Sequence, residues 1–510
     1  MNASARSSRD HARPGISAIS IYLPRNRVDL ERWCEWTGAP WAKVAAVVGR
    51  SFRVCAPDEN VYTMAANAAL QLIEANGIDP RRVGYFALGT ESSTDNAAGA
   101  VIVRGMVDEA LRVRGLPSLA RDCEVPEFKH ACLGGVYAMK SAARYLACEG
   151  RERVAIVVSS DIAAYRRGST GEQTQGAGAV AFAMEAEPKL LALDLDRAGS
   201  ASSYRGYDFR KPFARHFMAD YRGEEQTPRD FPVFNGKYST LCYVDEVIAA
   251  LDAMFGRQGL DGDRRSYYES LAGIFFHRPY HHLPSTALAT ALTWDLARQA
   301  AGSGGEARAQ LAALCEQAGV SAEDVLAQVD RRAGEGFDLW AEARAQGADH
   351  DPFAAVNHLA KLFRKQAWYR NFSANKLGLG AERVRQCGNL YTASLPAWIA
   401  AGFDDACRRE AADASIQAGS EILLIGYGSG DAAEAIPATV MPTWREAAAT
   451  IGFEAALANA NDLDREQYEA LHDGRAVDGL ASTQGFVIRE VGSKDRPDFA
   501  DIGMEYYDFV

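Results

Sequence analysis

Apolar and polar positions sort most of the chain into short buried strands and longer helices. Ile16 to Leu23 reads as a strand that Pro24 ends, and Val28 to Val48 reads as helical. Tyr62 to Ala75 is a helix rich in Ala and Leu that Gly77 stops. Val83 to Gly89 is a short apolar run, expected as a buried strand ending in Thr90-Glu91-Ser92. Asp95 to Val113 is expected as a helix, Ala120 to Val125 as a short strand, and Ala131 to Cys148 as a small-residue helix. Arg153 to Ser159 is a further apolar strand, running into Ser160-Asp161, and Gly178 to Met184 with Leu190 to Asp196 reads as a hairpin.

A similar order recurs later. Ser266 to Phe276 reads as helix then strand and ends at His277, Pro284 to Ala300 as a helix, and Gln386 to Ala401 as a loop entering a helix. Glu421 to Ile425 reads as a strand ending in Gly426-Tyr427-Gly428-Ser429-Gly430, with Ile436 to Met441 as its return strand. Strands mixed with helices at this spacing predict an α/β sheet covered by helices, in two related halves without a visible sequence repeat. The expected division is a disordered polar tail over 1–14, a first half over 15–200 and a second half over 201–510. The Ala-, Gly- and Gln-rich stretch 303–350 is read as a surface helical insertion, and the polar segment 442–510 is assigned to the second half.

Composition narrows the class. With 510 residues, 48% hydrophobic and 24% charged, the chain is long enough to bury a large core without covalent staples. A net charge of −12 argues against bulk binding to nucleic acid or anionic membrane. Arg151, Arg153, Arg166, Arg167, Arg205, Arg210 and Lys211 are candidates for a local basic patch. The sequence has no apolar stretch that spans a membrane and no secretory apolar segment. Nine scattered cysteines without a CxxC pair fit a reducing, cytoplasmic setting better than a disulfide framework or a structural zinc site.

The reactive residue types gather at strand ends, where open α/β sheets place functional groups. Glu91, Asp161, His277 and Ser429 all follow expected strands, and Cys132 opens an expected helix. Unpaired N–H groups at a helix start lower a thiol's pKa, and the small residues Ala131, Gly134 and Gly135 let a ligand approach. A free cysteine before Gly-Gly is more often a small buried hydrophobe, and a lone His after a strand is more often a bonded core residue. Glu91 against apolar surroundings has the raised pKa of a proton shuttle or is a surface acid. His277, His281 and His282 lack a carboxylate or thiolate at ligand spacing, so no metal is expected.

Together these segments resemble the 3-hydroxy-3-methylglutaryl-CoA synthase family of the thiolase superfamily, from about Gly15 to Gly430. The matching pieces occur in family order: Gly-Thr-Glu-Ser at 89–92, Ala-Cys-Leu-Gly-Gly at 131–135, Ser-Asp-Ile-Ala at 160–163 and Gly-Glu-Gln-Thr-Gln-Gly-Ala-Gly-Ala-Val at 171–180. Tyr-Asp-Phe-Arg-Lys-Pro at 207–212, Phe-His-Arg-Pro-Tyr at 276–280, Gly-Asn-Leu-Tyr-Thr-Ala-Ser-Leu at 388–395 and Tyr-Gly-Ser-Gly at 427–430 follow. One such piece is unremarkable; eight in order are specific.

The resemblance implies a duplicated thiolase-like fold, layered α/β/α/β/α, with the helical insertion in the second half. It implies that Cys132 takes an acetyl group from a thioester, that Glu91 is the general acid/base of carbon–carbon bond formation, and that His277 binds the acceptor 3-oxoacyl thioester. Asn389 and Ser429 are implied to position acyl oxygens, Tyr391 to line the site, and Asp161 and Asp208 to support it. The implied substrates are acetyl-CoA and acetoacetyl-CoA, with no cofactor beyond the CoA thioesters; a homodimer is implied too. Leu133-Gly134 after the cysteine, Pro396, His281-His282 and the 303–350 insertion depart from the family pattern. The insertion and the substitutions after Cys132 keep a second expectation open, the same chemistry on acyl carrier protein for polyketide β-branching. A silent thiolase-fold scaffold is the expectation from a different class, and the retained Glu91, Cys132, His277 and Asn389 speak against it.

Overall fold

The computed structural model describes residues 13–211, 231–260, 264–302, 305–334, 336–410 and 415–510. Most of the expected tail, Pro212 of the 207–212 motif and Ser303 at the insertion's start lie outside these. Pro14 is already buried, and its carbonyl accepts from Leu193 N at 3.1 Å, so packing begins one residue before the expected Gly15.

Strand β1 (Gly15–Tyr22) opens the fold, followed by β2 (Asn26–Asp29), helices α1 (Leu30–Thr37) and α2 (Trp41–Val47), and β3 (Ser51–Val54). The single helix expected over Val28 to Val48 is thus a strand and two short helices. Asp29 caps the first, and Gly38 ends it in the left-handed conformation that glycine favours. Helix α3 (Val61–Ala75) is capped by Asn60 and buried almost all round. Then come β4 (Val83–Gly89), α4 (Gly99–Val113), β5 (Glu127–Phe128), α5 (Gly134–Ala147), β6 (Val154–Ala163), β7 (Gly176–Glu185), β8 (Leu191–Leu193) and β9 (Gly199–Ser202). The strand expected over Ala120 to Val125 is instead a loop that touches β4 through a single bridge, Tyr85 to Glu124.

Helices α6 (Gly236–Gln258) and α7 (Arg264–Ser270) lead to β10 (Gly273–Phe276) and α8 (Leu283–Ala301). The insertion then supplies α9 (Gly305–Ala318), α10 (Ala322–Ala333) and α11 (Leu339–Gln346). It is followed by α12 (Ala354–Phe363), α13 (Ala367–Leu377), α14 (Ala381–Val384), α15 (Ser394–Arg408), β11 (Glu421–Gly428) and β12 (Ala432–Val440).

The main sheet has ten strands in the order β10-β11-β12-β8-β1-β7-β6-β4-β5, with β9 pairing β12. β4 runs parallel to β6, which runs antiparallel to β7; β10 runs parallel to β11, which runs antiparallel to β12. One arrangement is therefore used twice, joined through β8. The hairpin expected from Gly178 to Asp196 does not form, because β1 lies between β7 and β8 and pairs with both. Both segments carry good strand patterns, but pattern does not name the partner.

Alternate residues of β4 face opposite cores. Tyr85 and Ala87 lie in the core with α5, and Phe86 and Leu88 lie in the core with α3 and α4. On the far side α6 packs on β12, β9 and β11, with α8 against it. The insertion is helical as expected, yet it is no loose surface addition: Leu311, Leu314, Val325 and Val329 are buried in the main core. Residues after Pro442 lie largely against the first part of the chain rather than the second. Asn461–Asp462 pairs with β2, and Phe486 packs beside α3. Among the described residues no helix is long and apolar enough to cross a membrane.

Where β4 ends, two backbones meet without side chains between them. A Cβ on Gly89 would lie 2.5 Å from Gly135 N and 2.6 Å from its Cα. Gly89→Ala must therefore move β4 away from the start of α5. A stability loss of about 1–3 kcal/mol is expected in urea unfolding, and an unchanged midpoint would show that this junction yields easily.

Candidate active site

Two residues past β4, the chain turns at Thr90 and Glu91. Asp161, fully buried on β6, holds this turn: its Oδ1 accepts from Thr90 Oγ1 at 3.0 Å and from Glu91 N at 2.8 Å. Its Oδ2 accepts from Thr392 N at 3.0 Å and from the Thr392 hydroxyl. Asp161 therefore lies inside a strand, where the sequence reading put it just after one. Burial still pushes its pKa up, against the pull of Lys211 and these donors.

Cys132 precedes α5 rather than opening it, because Ala131 takes the left-handed φ of 40° and the helix begins at Gly134. The expected thiolate is corrected here. Burial, then Glu91 and Asp161, hold the thiol well above its ordinary pKa, with Lys211 opposing. A helix start two residues away does not outweigh a carboxylate beside a buried sulfur. Some surface of Cys132 stays reachable even though protein surrounds the sulfur. Gly134 and Gly135, read from sequence as room for a ligand, are filled by protein: a Cβ would meet Phe128 O at 2.7 Å and Ser159 Oγ at 2.1 Å. These glycines let α5 sit against β4 and β6.

Glu91 has a side chain only 5% exposed, and Lys211 Nζ lies 2.8 Å from its Oε1. Neither carboxylate oxygen has a well-directed hydrogen bond. Burial raises its pKa first; Lys211 and contact with Cys132 lower it, and Asp161 raises it again. Lys211 also lies over the Tyr391 ring at 4.4 Å. Tyr391, Tyr165, Phe209 and Phe234 form the aromatic wall against which Cys132 packs.

His277 directly follows β10, as expected, and its N–H donates to Ile425 O at 2.6 Å. Burial lowers its pKa to about 3, so the imidazole is neutral, and its Nδ1 has no partner. Tyr427 stacks on it at 6.3 Å, and the Tyr243 hydroxyl donates to its carbonyl at 2.8 Å. His281 and His282 turn away to Arg278 and Arg364, so the three histidines do not converge. β11 brings this group to the cysteine: a Cβ on Gly428 would lie 2.6 Å from His130 O and 2.7 Å from Leu133 Cβ. Ser429 follows in the β11–β12 turn.

Asn389 is buried, and its Oδ1 accepts from Tyr391 N at 2.9 Å and Ser394 Oγ at 3.0 Å. This bond holds Tyr391 at its left-handed φ of 45°. Asp208 lies behind Tyr427, whose hydroxyl donates to it at 3.0 Å, and so stands at one remove from His277. With Asp431 and Cys242 it forms a group whose ligand-type atoms all lie within 4.8 Å of one another. Arg205 Nε stands 3.8 Å from Asp431 and already supplies a cation there; burial and Asp208 push Asp431 up to about 9. The expected basic patch is dispersed, with Arg153 on Asp122, Arg167 on Glu469 and Asp473, and Arg205 on Asp245 and Glu246. Lys211 at Glu91, Thr392 at Asp161 and Tyr243 at His277 escaped the sequence reading of the site, although the first two stand inside quoted motifs.

Residues 11–189 match the family model described as "Hydroxymethylglutaryl-coenzyme A synthase N terminal". The hydroxymethylglutaryl-CoA synthase of Enterococcus faecalis is 30% identical over 275 residues, which cover 54% of this chain and 63% of that protein. The solved structure of MvaS in complex with 3-hydroxy-3-methylglutaryl coenzyme A superposes with a TM-score of 0.72 at 27% identity, covering 98% of this chain and 99% of that one. The Curacin biosynthetic pathway HMG synthase, solved in complex with acetyl donor-ACP, shares the fold at 19% identity and a TM-score of 0.67. Fold and comparisons define an acyl-transferring condensing enzyme with a thiolase-like architecture. Within that class the chain is similar to the 3-hydroxy-3-methylglutaryl-CoA synthase family, by sequence over residues 11–189 and by fold over 98% of its length.

The raised thiol has a direct readout. Alkylation of Cys132, followed peptide by peptide because the chain has nine cysteines, should keep accelerating beyond the pH of about 8.5 where an ordinary cysteine levels off. In Glu91→Gln the levelling should move to lower pH, since a neighbouring negative charge has gone. Levelling near neutral pH in the native protein would mean a preformed thiolate.

Proposed function

We propose that the chain condenses an acetyl thioester, carried on Cys132, with a 3-oxoacyl thioester and releases 3-hydroxy-3-methylglutaryl-CoA by hydrolysis. The observation that carries this reading is the enclosed group in which Glu91 meets both Lys211 and Cys132.

The chemistry follows from the protonation states. Cys132 rests as a thiol, so its proton passes to Glu91 as sulfur attacks the acetyl carbonyl, and from Glu91 to the departing CoA sulfur. Glu91, again a carboxylate, then takes a proton from the methyl group of acetyl-Cys132. The resulting carbon attacks the ketone of the acceptor, and Glu91 returns the proton to the new alkoxide. Water finally cleaves the thioester, freeing the carboxylate product and the Cys132 thiol. Because desolvation keeps His277 neutral, its imidazole acts on the acceptor oxygen as a hydrogen-bond donor rather than as a cation. The Asn389 amide, Ser429 and backbone N–H groups by Cys132 are assigned to acyl oxygens. Tyr391 lines the site, and Asp161 and Asp208 order it.

Acetyl-CoA and acetoacetyl-CoA are the proposed substrates, in a cytoplasmic homodimer built from two thiolase-like halves meeting near residue 200. No step calls on a metal or cofactor. The second reading, with the acyl groups on a carrier protein, is supported by the likeness to the Curacin pathway synthase solved with acetyl donor-ACP. An acidic carrier needs a basic patch at the pocket mouth, and Arg153, Arg167 and Arg205 are instead each paired with carboxylates.

Intact-mass spectrometry with acetyl-CoA, then acetoacetyl-CoA or an acetoacetyl carrier protein, separates these. Acetylation of Cys132 and a CoA product support the first reading, product on the carrier alone supports the second, and no acylation from either donor overturns both. Glu91→Gln should acetylate Cys132 more slowly yet still accumulate acetyl-Cys132, because condensation falls by about 10²–10⁴-fold. Normal condensation in that variant would remove Glu91 as the base. Between pH 5 and 8 the condensation profile should show no limb from His277, whose pKa of about 3 leaves it neutral throughout.

A further inference from the structure

The segment 203–211 has two faces. Its inner side carries Asp208, Phe209 and Lys211 toward Tyr427, Tyr391 and Glu91. Its outer side carries Tyr204, Gly206 and Tyr207, and these meet the insertion. Trp340, the second residue of α11, lies 4.5 Å from the Tyr207 ring and 5.8 Å from the Tyr204 ring, edge to face in both cases. A Cβ on Gly206 would lie 2.2 Å from the Trp340 ring, so the indole fills the space that a side chain there would take.

Helix α11 is itself fixed. Leu339 and Ala343 bury themselves against Tyr238 and Cys242 of α6, and Tyr238 packs on Tyr207 at 6.3 Å. A second tether runs through charge. Arg332 of α10 bonds Asp245 at 2.7 Å, and Asp245 bonds Arg205, inside the segment, at 2.6 Å. The segment's other ties, Ser203 with Asp431 and Arg210 with Val233, hold its two ends. Between them Arg205 N donates to Gly430 O at 3.2 Å, Arg205 also bonds Glu246, and Tyr427 bonds Asp208 on the inner side. On the outer side Tyr204 and Tyr207 rest on the insertion, and Asn235 donates to Tyr207 O.

We propose that α11 positions this segment for catalysis, with Trp340 as the positioning residue that sets Lys211 against Glu91. The insertion thereby tunes the proton-transfer carboxylate without touching substrate. Among the described residues the groups facing Glu91 are Lys211, Cys132 and Asp161, with Tyr165 and Tyr391 on the wall beyond. Only Lys211 is a cation, so displacing it raises the Glu91 pKa further and moves the acid limb of condensation to higher pH.

The inference rests on Glu91 acting as proposed above, and the test separates the two. Condensation by Trp340→Ala, Trp340→Phe, Lys211→Met and the Trp340→Ala/Lys211→Met pair is followed across pH, with Cys132 acetylation measured in each. Trp340→Ala should lower condensation kcat about tenfold and shift the acid limb upward, in the direction of Lys211→Met, while acetylation persists. Trp340→Phe should recover most of the rate, and the paired variant should be no slower than Lys211→Met alone. A lower melting temperature with an unmoved pH profile, or losses that multiply in the pair, would overturn the positioning role. Should Trp340→Ala not fold, Gly206→Ala, which pushes the indole from outside the helix, must give the same limb shift. Failure of the native enzyme to acetylate Cys132 would instead remove the function itself.

Discussion

Asp161 is the constraint on which the site is built. A carboxylate taken fully out of water is costly unless every lone pair is used. Here four donors use them, two from the turn after β4 and two from Thr392, which enters α15. Thr392 lies 231 residues from Asp161 in the chain, so one buried side chain ties the loop bearing Glu91 to the loop bearing Asn389 and Tyr391. The Thr392 hydroxyl also lies 3.0 Å from Gly89 O, which closes the same joint from the other side. Remove the carboxylate and both loops lose their common reference.

The electrostatics of the cavity follow from that enclosure. Low dielectric penalises each charge, so Glu91 and Cys132 are both held up and only one of them gives up its proton readily. Lys211 offsets part of the cost for the carboxylate, so a pair of thiol and carboxylate costs less than one of thiolate and carboxylate. That pairing suits a residue that must move a proton twice in opposite directions. A preformed thiolate beside Glu91 would set two anions against each other with one ammonium between them. His277 meets the same desolvation without a counter-ion and stays uncharged, so the two halves of the site differ in charge because only one was given a cation.

Much of this was legible in the chain. Strand ends marked Glu91 and His277, and apolar runs gave β4 to the residue, the end of β10, and the starts of β6 and β11 to within a residue, because a strand buried on both faces needs uninterrupted apolar side chains. β6 and β11 run on four and three residues beyond those apolar runs. Partners were less legible. β7 and β8 have the composition of a hairpin, yet β1 comes between them, a choice made by long-range pairing. The Cys132 pKa was misread because a helix start is visible in sequence and a carboxylate arriving from β4 is not. Lys211 was read as a candidate for a basic patch and not as a partner of Glu91, since nothing local says that residue 211 returns to residue 91.

The two uses of one strand arrangement explain how such a site is assembled. In the first, β4 leads to Glu91, and a left-handed residue, Ala131, delivers Cys132 at the start of α5. In the second, β10 leads to His277, and a left-handed residue, Tyr391, sits just ahead of α15. Non-glycine residues in that conformation are strained, and they persist where the surroundings over-determine them. Here Asn389 and the Asp161 joint do so on the second side, and the glycine contact between β4 and α5 does so on the first. The segment carrying Lys211 belongs to neither arrangement. It is irregular, it crosses from one to the other, and it needs support from outside. The insertion helices supply that support, and the burial of Leu339 and Ala343 against α6 makes it a packed contact rather than a loose one.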